Sequence, residues 1–258
     1  MKNLMIYISP TGSFNNPRPD LTSNDAGQLA KVQIENSLAL GWKKEDILLF
    51  TNFDYQYGVV KATVLKDVKF FDRKPQATKI NAIIKLFENG IIKDDEMYWF
   101  HDLDAYQLEP ISEAEIDLSD ADMALTDNGT QFGGTDRWNT ASIFFKSSSK
   151  DIFQRIKEIM YQKRIDEEEA LGLLTISDED MRKRVKKINC TYNFNGFNLR
   201  PRYRTAIKPI RVVHFHPYGM IRRLRVKRPL DFFMGENSLH IPLITERLIR
   251  IFKYHRIR

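Results

Sequence analysis

Apolar and polar positions alternate in blocks along the first hundred residues, and the period changes from block to block. LMIYIS (4–9) is a short apolar run read as a strand. After the loop PTGSFNNPRPD, apolar residues return at helical spacing from about Gly27 to Leu40, and EDILLF (45–50) reads as a second strand. TKINAIIKLFENG (78–90) sets Ile80, Ile83, Ile84 and Phe87 on one helical face and closes on Gly90, the residue type favoured just past a helix end. EMYWFH (96–101), ADMALT (121–126), TASIFFK (140–146) and the β-branched run IRVVHF (210–215) are further strands. Between them fall a helix from about Ser149 to Gln162 and an acidic helix, DEEEALGLL (166–174). A last amphipathic helix, about Ile244 to Lys253, puts Ile244, Leu248, Ile251 and Phe252 opposite Arg247, Arg250 and Lys253. Strands alternating with helices predict an α/β fold on a mixed, mostly parallel sheet flanked by helices, with a basic C-terminal helical extension.

Composition narrows this only a little. The chain has 258 residues, 42% of them hydrophobic, enough for a sizeable core and against disorder. It has no apolar run of about twenty residues, the length a membrane-spanning helix needs. The opening MKNLMIYISPTG has too short an apolar run for a signal peptide and reads as a first strand. Cys190 is the only cysteine, so no intramolecular disulfide forms, and a reducing, cytoplasmic setting is expected. Charge changes the picture more. From Arg200 onward fifteen Lys and Arg face three acids, a balance of +12, against −6 for the first 199 residues. Such asymmetry suits a phosphate-bearing partner, whether nucleotide, nucleic acid or anionic membrane; the plainer alternative is a solvated basic face. The expected organisation is one catalytic domain over 1–220 and a basic segment over 221–258, packed on the domain or trailing from it.

The candidate chemistry lies in MYWFHDLDAYQLEP (97–110), where an aromatic strand runs into Asp102 and Asp104. Ligands of open α/β sheets bind beyond the carboxyl ends of the strands. On an extended backbone, residues two apart point the same way, so both carboxylates would face one point. Like charges held so close call for a cation, and hard oxygen donors select Mg²⁺ or Mn²⁺, ions that commonly arrive with phosphate. The alternative is an exposed Asp-containing turn.

The stretch resembles the DxD segment of GT-A-fold glycosyltransferases, and three later segments follow in that family's order. RWNTASIFFK (137–146) is similar to its Asn-Ser/Thr-Gly strand, although Ala141 stands where glycine is usual. DEEEALGLL followed by INCTYNF (188–194) is similar to its acidic helix and YN segment, and RVVHFHP (211–217) to the His-Phe strand of retaining galactosyl- and glycogenin-type transferases. The resemblance covers roughly residues 1–220 and implies a metal held by Asp102, Asp104 and His214, with His216 as a substitute. It also implies a nucleotide base and ribose near Tyr7, Ser9 and Thr11, and sugar contacts from Asp127, Asp136 and Asn139. Glu168 or Glu169 would face the acceptor. Lys79 is a candidate for a phosphate contact, the alternative being an ordinary exposed helical lysine.

The implied activity is transfer of a sugar from a nucleotide sugar, UDP-sugar first among them, to an acceptor hydroxyl with Mn²⁺ or Mg²⁺ as cofactor and, by analogy, retention of configuration. Lys208, Arg211, Arg222 and Arg223 are further cations available to the diphosphate. The basic C-terminus suits an anionic membrane carrying a glycan or glycolipid acceptor, which would seat the protein peripherally on the membrane. It equally suits DNA whose modified bases receive the sugar. The rival readings are a metal-dependent nuclease or phosphotransferase, which needs further converging carboxylates, and a basic nucleic-acid-binding protein, which leaves Asp102 and Asp104 without a role.

Overall fold

In a computed structural model of the protein, residues 1–14, 25–132, 135–195 and 199–214 are described. The predicted helix at 244–253, His216, Arg222, Arg223 and the whole segment 221–258 lie outside them.

The strands and helices follow the alternation read from the sequence. β1 (Lys2–Tyr7) leads to α1 (Asp25–Ala39), then β2 (Ile47–Thr51), the two-residue strands β3 (Gln56–Tyr57), β4 (Val60–Lys61) and β5 (Thr63–Val64), and α2 (Thr78–Glu88). Next come β6 (Tyr98–His101), β7 (Ala105–Gln107), α3 (Glu113–Ile116), β8 (Met123–Phe132) and β9 (Thr135–Phe145). The remainder is α4 (Lys150–Lys163), α5 (Glu167–Ser177), α6 (Glu179–Arg184), β10 (Val185–Lys187), β11 (Phe194–Asn195), α7 (Leu199–Thr205) and β12 (Val212–His214).

Seven strands form the main sheet in the order β10-β8-β9-β6-β1-β2-β5. Pairing is parallel from β6 through β1 and β2 to β5, and antiparallel where β9 meets β6 and β8. The sheet is therefore mixed and mostly parallel, as expected. Both of its faces are buried, which explains the unbroken apolar runs in β1 and β6. Leu4, Ile6, Tyr98 and Phe100 pack with Ile80, Ile83 and Ile84 of α2 and with residues of α4 and α5. Met5 points the other way, onto Ala30 and Ile34 of α1.

A second, three-stranded sheet, β11-β12-β7, covers part of that other face. β7 pairs antiparallel with β12, bringing His214 opposite Ala105. The chain thus leaves the main sheet at His101, turns through Asp102–Asp104 and enters the second sheet at Ala105. The backbone N–H of Ala105 donates to the Asp102 carbonyl at 3.0 Å, closing that turn. The two aspartates are brought together by a turn between sheets and not by an extended strand, because β7 pairs in a different sheet from β6.

β8 and β9 extend well beyond the ADMALT and TASIFFK runs. TDNGTQFGGTDRWN has the composition of a surface loop, yet nearly all of it belongs to the paired strands β8 and β9. Cross-strand pairing outweighs local turn preference here. The register also breaks: Leu125 pairs with Ile143, but Thr126 pairs with Asn139. Thr140, Ala141 and Ser142 therefore have no partner on β8, and the irregularity re-aims β9 toward the end of β6. Ser142 pairs with His101, and the Ala141 carbonyl accepts the Asp102 N–H at 2.9 Å.

Candidate active site

Asp102, Asp104 and His214 meet at the seam between the two sheets. Each offers one ligand atom, and the three atoms lie within 4.8 Å of one another. His214 Nε2 is 3.4 Å from Asp104 Oδ1, with the imidazole buried and both carboxylates half-buried. Residues more than a hundred positions apart converge because β12 lies beside β7, directly after the aspartate turn.

The turn is held from both sides. Gln33 of α1 donates from Nε2 to the carbonyls of Leu103 and Ala105, each at 2.9 Å. Asn36 Nδ2 donates to the Gln107 carbonyl at 2.7 Å. On the strand side, His101 stacks on Trp99 with ring centroids 4.3 Å apart, and its Nε2 lies 2.8 Å from Asn3 Oδ1. Burial lowers the His101 pKa to about 4, so the ring is a neutral part of the wall.

Lys79, at the start of α2, points inward. Its Nζ is 3.0 and 3.1 Å from the two oxygens of Asp102, 3.2 Å from the Thr140 carbonyl and 3.1 Å from Glu167 Oε1. The ammonium that the sequence offers to a phosphate is turned onto the metal-site carboxylate. Burial works against its charge, but Asp102, Glu167 and Glu168 outweigh burial and raise its pKa. For Asp102, burial and the nearby Asp104 raise the pKa while Lys79 and His214 oppose them.

The donor set fits a divalent cation. Two carboxylate oxygens and an imidazole nitrogen within 4.8 Å of one another are the mixed O/N donors that Mn²⁺ accepts and Mg²⁺ tolerates. A dication between the carboxylates would also remove the repulsion by which Asp104 raises the Asp102 pKa.

Solved structures share this architecture. The galactosyltransferase LgtC, solved in complex with donor and acceptor sugar analogues, superposes with a TM-score of 0.55 at 14% identity, over 84% of this chain and 87% of that one. An active-site mutant of LgtC gives 0.58 at 13% identity, over 98% and 96%. The glycosyltransferase GlyE of Streptococcus pneumoniae gives 0.57 at 10% identity, over all of this chain and 61% of that one. The chain has a GT-A-type fold. No protein-family model and no curated protein matches the sequence.

Within the GT-A frame the remaining candidates fall into two groups. Tyr7, Ser9 and Thr11 lie at the carboxyl end of β1, where Ser9, Thr11 and Ser13 form a ladder of hydroxyls spaced 2.8 and 3.0 Å apart. Asn52, just after β2, pins that loop: Ser9 N–H donates to Asn52 Oδ1 at 3.0 Å and Asn52 Nδ2 donates to the Ser9 carbonyl at 2.6 Å. Tyr7, Phe14, Phe53 and Tyr55 make an aromatic cluster beside it, and burial pushes the Tyr7 hydroxyl up to about 12.

The second group lies along β8, β9 and α5. Asp127 is clamped by two cations: Arg202 Nη1 donates to Oδ1 at 3.0 Å, and Lys187 pairs with Oδ2. Asn139 accepts from Ala141 N–H and Asn193 Nδ2 and donates to Asn128. Glu168 accepts from Thr140 N–H at 3.2 Å and from Asn128 Nδ2 at 3.3 Å. Burial, reinforced by Glu167, raises the Glu168 pKa to about 7. Asp136 lies in β9, but its side chain is outside the described residues. Among the described residues, Glu169 supplies its backbone N–H to the Asp166 cap of α5.

Sequence reasoning missed Gln33, Asn36, Asn128, Glu167, Asn193 and Arg202. Gln33 and Asn36 carried a signal: they are polar residues that burial places inside the apolar side of α1. Arg202 gave none, because RPRYR reads as a solvated basic run while its guanidinium is in fact buried against Asp127.

Proposed function

We propose that the protein is a metal-dependent glycosyltransferase that moves a sugar from a nucleotide sugar, UDP-sugar first among them, to an acceptor hydroxyl. The observation that supports this most is the meeting of Asp102, Asp104 and His214 at the carboxyl end of the central strands of a GT-A-type fold. The galactosyltransferase and the glycosyltransferase that share this architecture point the same way.

In this reading Asp102, Asp104 and His214 would hold Mn²⁺ or Mg²⁺. An ion held by these residues would supply positive charge to offset that of the departing diphosphate. Lys79 favours the ionised form of Asp102 against burial and Asp104, and fixes the carboxylate in place. Tyr7, Ser9 and Thr11 would receive the base and ribose, an aromatic surface with hydroxyls beside it. Asp127, Asp136 and Asn139 would orient the sugar, with Asp127 and Asn139 held rigid by their own partners so that little reorganisation is needed. The bond between the anomeric carbon and the diphosphate oxygen breaks, and the acceptor oxygen bonds to that carbon with retained configuration. Glu168, whose ionisation is poised near neutrality, takes the proton of the acceptor hydroxyl.

The domain 1–220 would carry this chemistry, and the basic segment 221–258 would bring the protein to its acceptor on an anionic membrane or on DNA. No helix among the described residues is long and apolar enough to cross a membrane. A cytoplasmic setting, with a peripheral seat on the membrane if the acceptor is a glycolipid, completes the proposal.

A panel of nucleotide sugars with Mn²⁺ or Mg²⁺, read as donor hydrolysis, tests the reading. Hydrolysis of one donor that needs metal and is lost in Asp104→Asn is the expected result. No hydrolysis of any donor, with or without acceptor, contradicts it. Sedimentation with anionic liposomes against retention on duplex DNA then separates the two acceptor classes.

A further inference from the structure

Both oxygens of Glu168 are engaged by donors from the β8–β9 pair. Oε1 accepts the Thr140 N–H, and Oε2 accepts Asn128 Nδ2, with Arg137 Nε 3.6 Å from the same oxygen. The Asn128 amide is not free to turn over. Its Nδ2 also donates to the Trp138 carbonyl at 3.1 Å, and its Oδ1 accepts Asn139 Nδ2 at 2.6 Å. Asn139 is fixed in turn, because its Oδ1 accepts the backbone N–H of Ala141 at 3.0 Å and Asn193 Nδ2 at 2.8 Å.

A backbone N–H can only donate and a carbonyl can only accept, so Ala141 and Trp138 dictate which way both amides face. The asparagines therefore donate in series, Asn193 to Asn139, Asn139 to Asn128, and Asn128 to Glu168. All three are buried, where amides bonded in series hold one another in place and are costly to separate, although Asn193 Oδ1 has no hydrogen-bond partner among the described residues.

We propose that Asn128 is a positioning residue of the transfer reaction, holding the Glu168 carboxyl group in the orientation in which it meets the acceptor hydroxyl. The role of Glu168 toward the acceptor rests on the transferase reading; the way its carboxyl group is held does not. The register break in β9 gives the arrangement its purpose, since it presents Thr140 N–H to one oxygen while Asn128 of β8 reaches the other. The charged groups facing Glu168 are Glu167 beside it on α5, Lys79 from α2 and Arg137 from β9. Burial and Glu167 favour its protonated form; Lys79, Arg137 and the Thr140 N–H favour the ionised one. A donated hydrogen bond from Asn128 acts on the ionised side.

The experiment is a pH titration of the glutamate side-chain carboxyl carbons by ¹³C NMR on the full chain without added metal. Glu168 is identified as the resonance missing from Glu168→Gln. Its midpoint in the wild type is expected at about 7. In Asn128→Ala the midpoint rises by about one pH unit, and in Asn128→Asp, which sets a second carboxylate against Oε2, it rises further. Asn128→Ser keeps a hydroxyl donor and falls between wild type and Asn128→Ala; it carries the test if the other two do not fold. With an active donor, Asn128→Ala lowers kcat by about a hundredfold at unchanged donor KM, and the pH profile moves with the NMR midpoint.

A folded variant whose Glu168 midpoint stays at the wild-type value overturns the proposal, whatever its activity. A protein whose midpoint moves as expected but which hydrolyses no nucleotide sugar overturns the transferase reading instead, and with it the catalytic part of the role given to Asn128.

Discussion

Lys79 shows how much of the site depends on one side chain. Its ammonium, 6% exposed, holds Asp102 and Glu167 at once and lies 5.4 Å above the Phe100 ring. Glu167 is buried, and its other oxygen has no hydrogen-bond partner among the described residues. Removing the lysine would leave buried carboxylates unmatched, a loss on the order of 3–5 kcal/mol. Lys79→Met should therefore lower the urea midpoint sharply at pH 7, and an unchanged midpoint would show that the buried cation is dispensable. Glu168 makes a prediction of opposite sense. Its folded pKa of about 7 stands above the ordinary 4.5, so the folded state binds the proton more tightly than the unfolded chain. Stability from this group is present below about 4.5 and is lost as pH rises toward and through about 7. Glu168→Gln removes that loss. Between pH 5 and pH 8, metal-free wild type should lose on the order of 2 kcal/mol relative to the variant, read from urea unfolding at each pH.

At the scale of elements, α1 matters for what it holds rather than for what it contacts in a substrate. Gln33 ties it to Leu103 and Ala105 on either side of Asp104, and Asn36 ties it to β7. Gln33→Leu should cost about 1–3 kcal/mol by removing the donor that two buried carbonyls share. It should also weaken Mn²⁺ binding at least tenfold, as loss of an outer support does at metal sites. Calorimetric titration of Mn²⁺ checks this, and unaltered affinity would mean that the second sheet alone fixes the turn. The elements themselves were largely legible. β6 and α2 announce themselves because one is buried on both faces and the other carries a clear apolar stripe at helical spacing. The aspartate turn was legible as a place and not as a shape, since nothing in DLDA says that β7 will pair with β12. The extension of β8 and β9 through 126–139 was hidden for a related reason: glycine, asparagine and aspartate favour turns locally, and only cross-strand pairing makes them strands. His214 could be named because RVVHFHP resembles a known family strand; Asn128 and Asn193 could not, because a relay of amides leaves no spacing in the chain.

For the molecule as a whole, the layers place the chemistry. A sheet buried on both faces gives a rigid centre, and the β6-to-β7 crossing between sheets opens a polar seam at its carboxyl edge. Amides of Leu4, Met5, Trp99 and Phe100 at that centre should exchange only through global unfolding, while those of the Ser9–Ser13 loop, which no ladder holds, exchange far faster. Hydrogen exchange followed by mass spectrometry checks the contrast, and fast exchange in β6 would contradict a rigid platform beneath the aspartates. In the proposed function Asp102, Asp104 and His214 bind a metal together with the diphosphate of a nucleotide. The most direct measurement of this joint binding is calorimetric titration of UDP into the full chain, with and without Mn²⁺, for wild type, Asp104→Asn and His214→Ala. UDP binding that requires Mn²⁺ and weakens at least tenfold in both variants is the predicted result. Binding that ignores the metal, or that survives intact in Asp104→Asn, would contradict it.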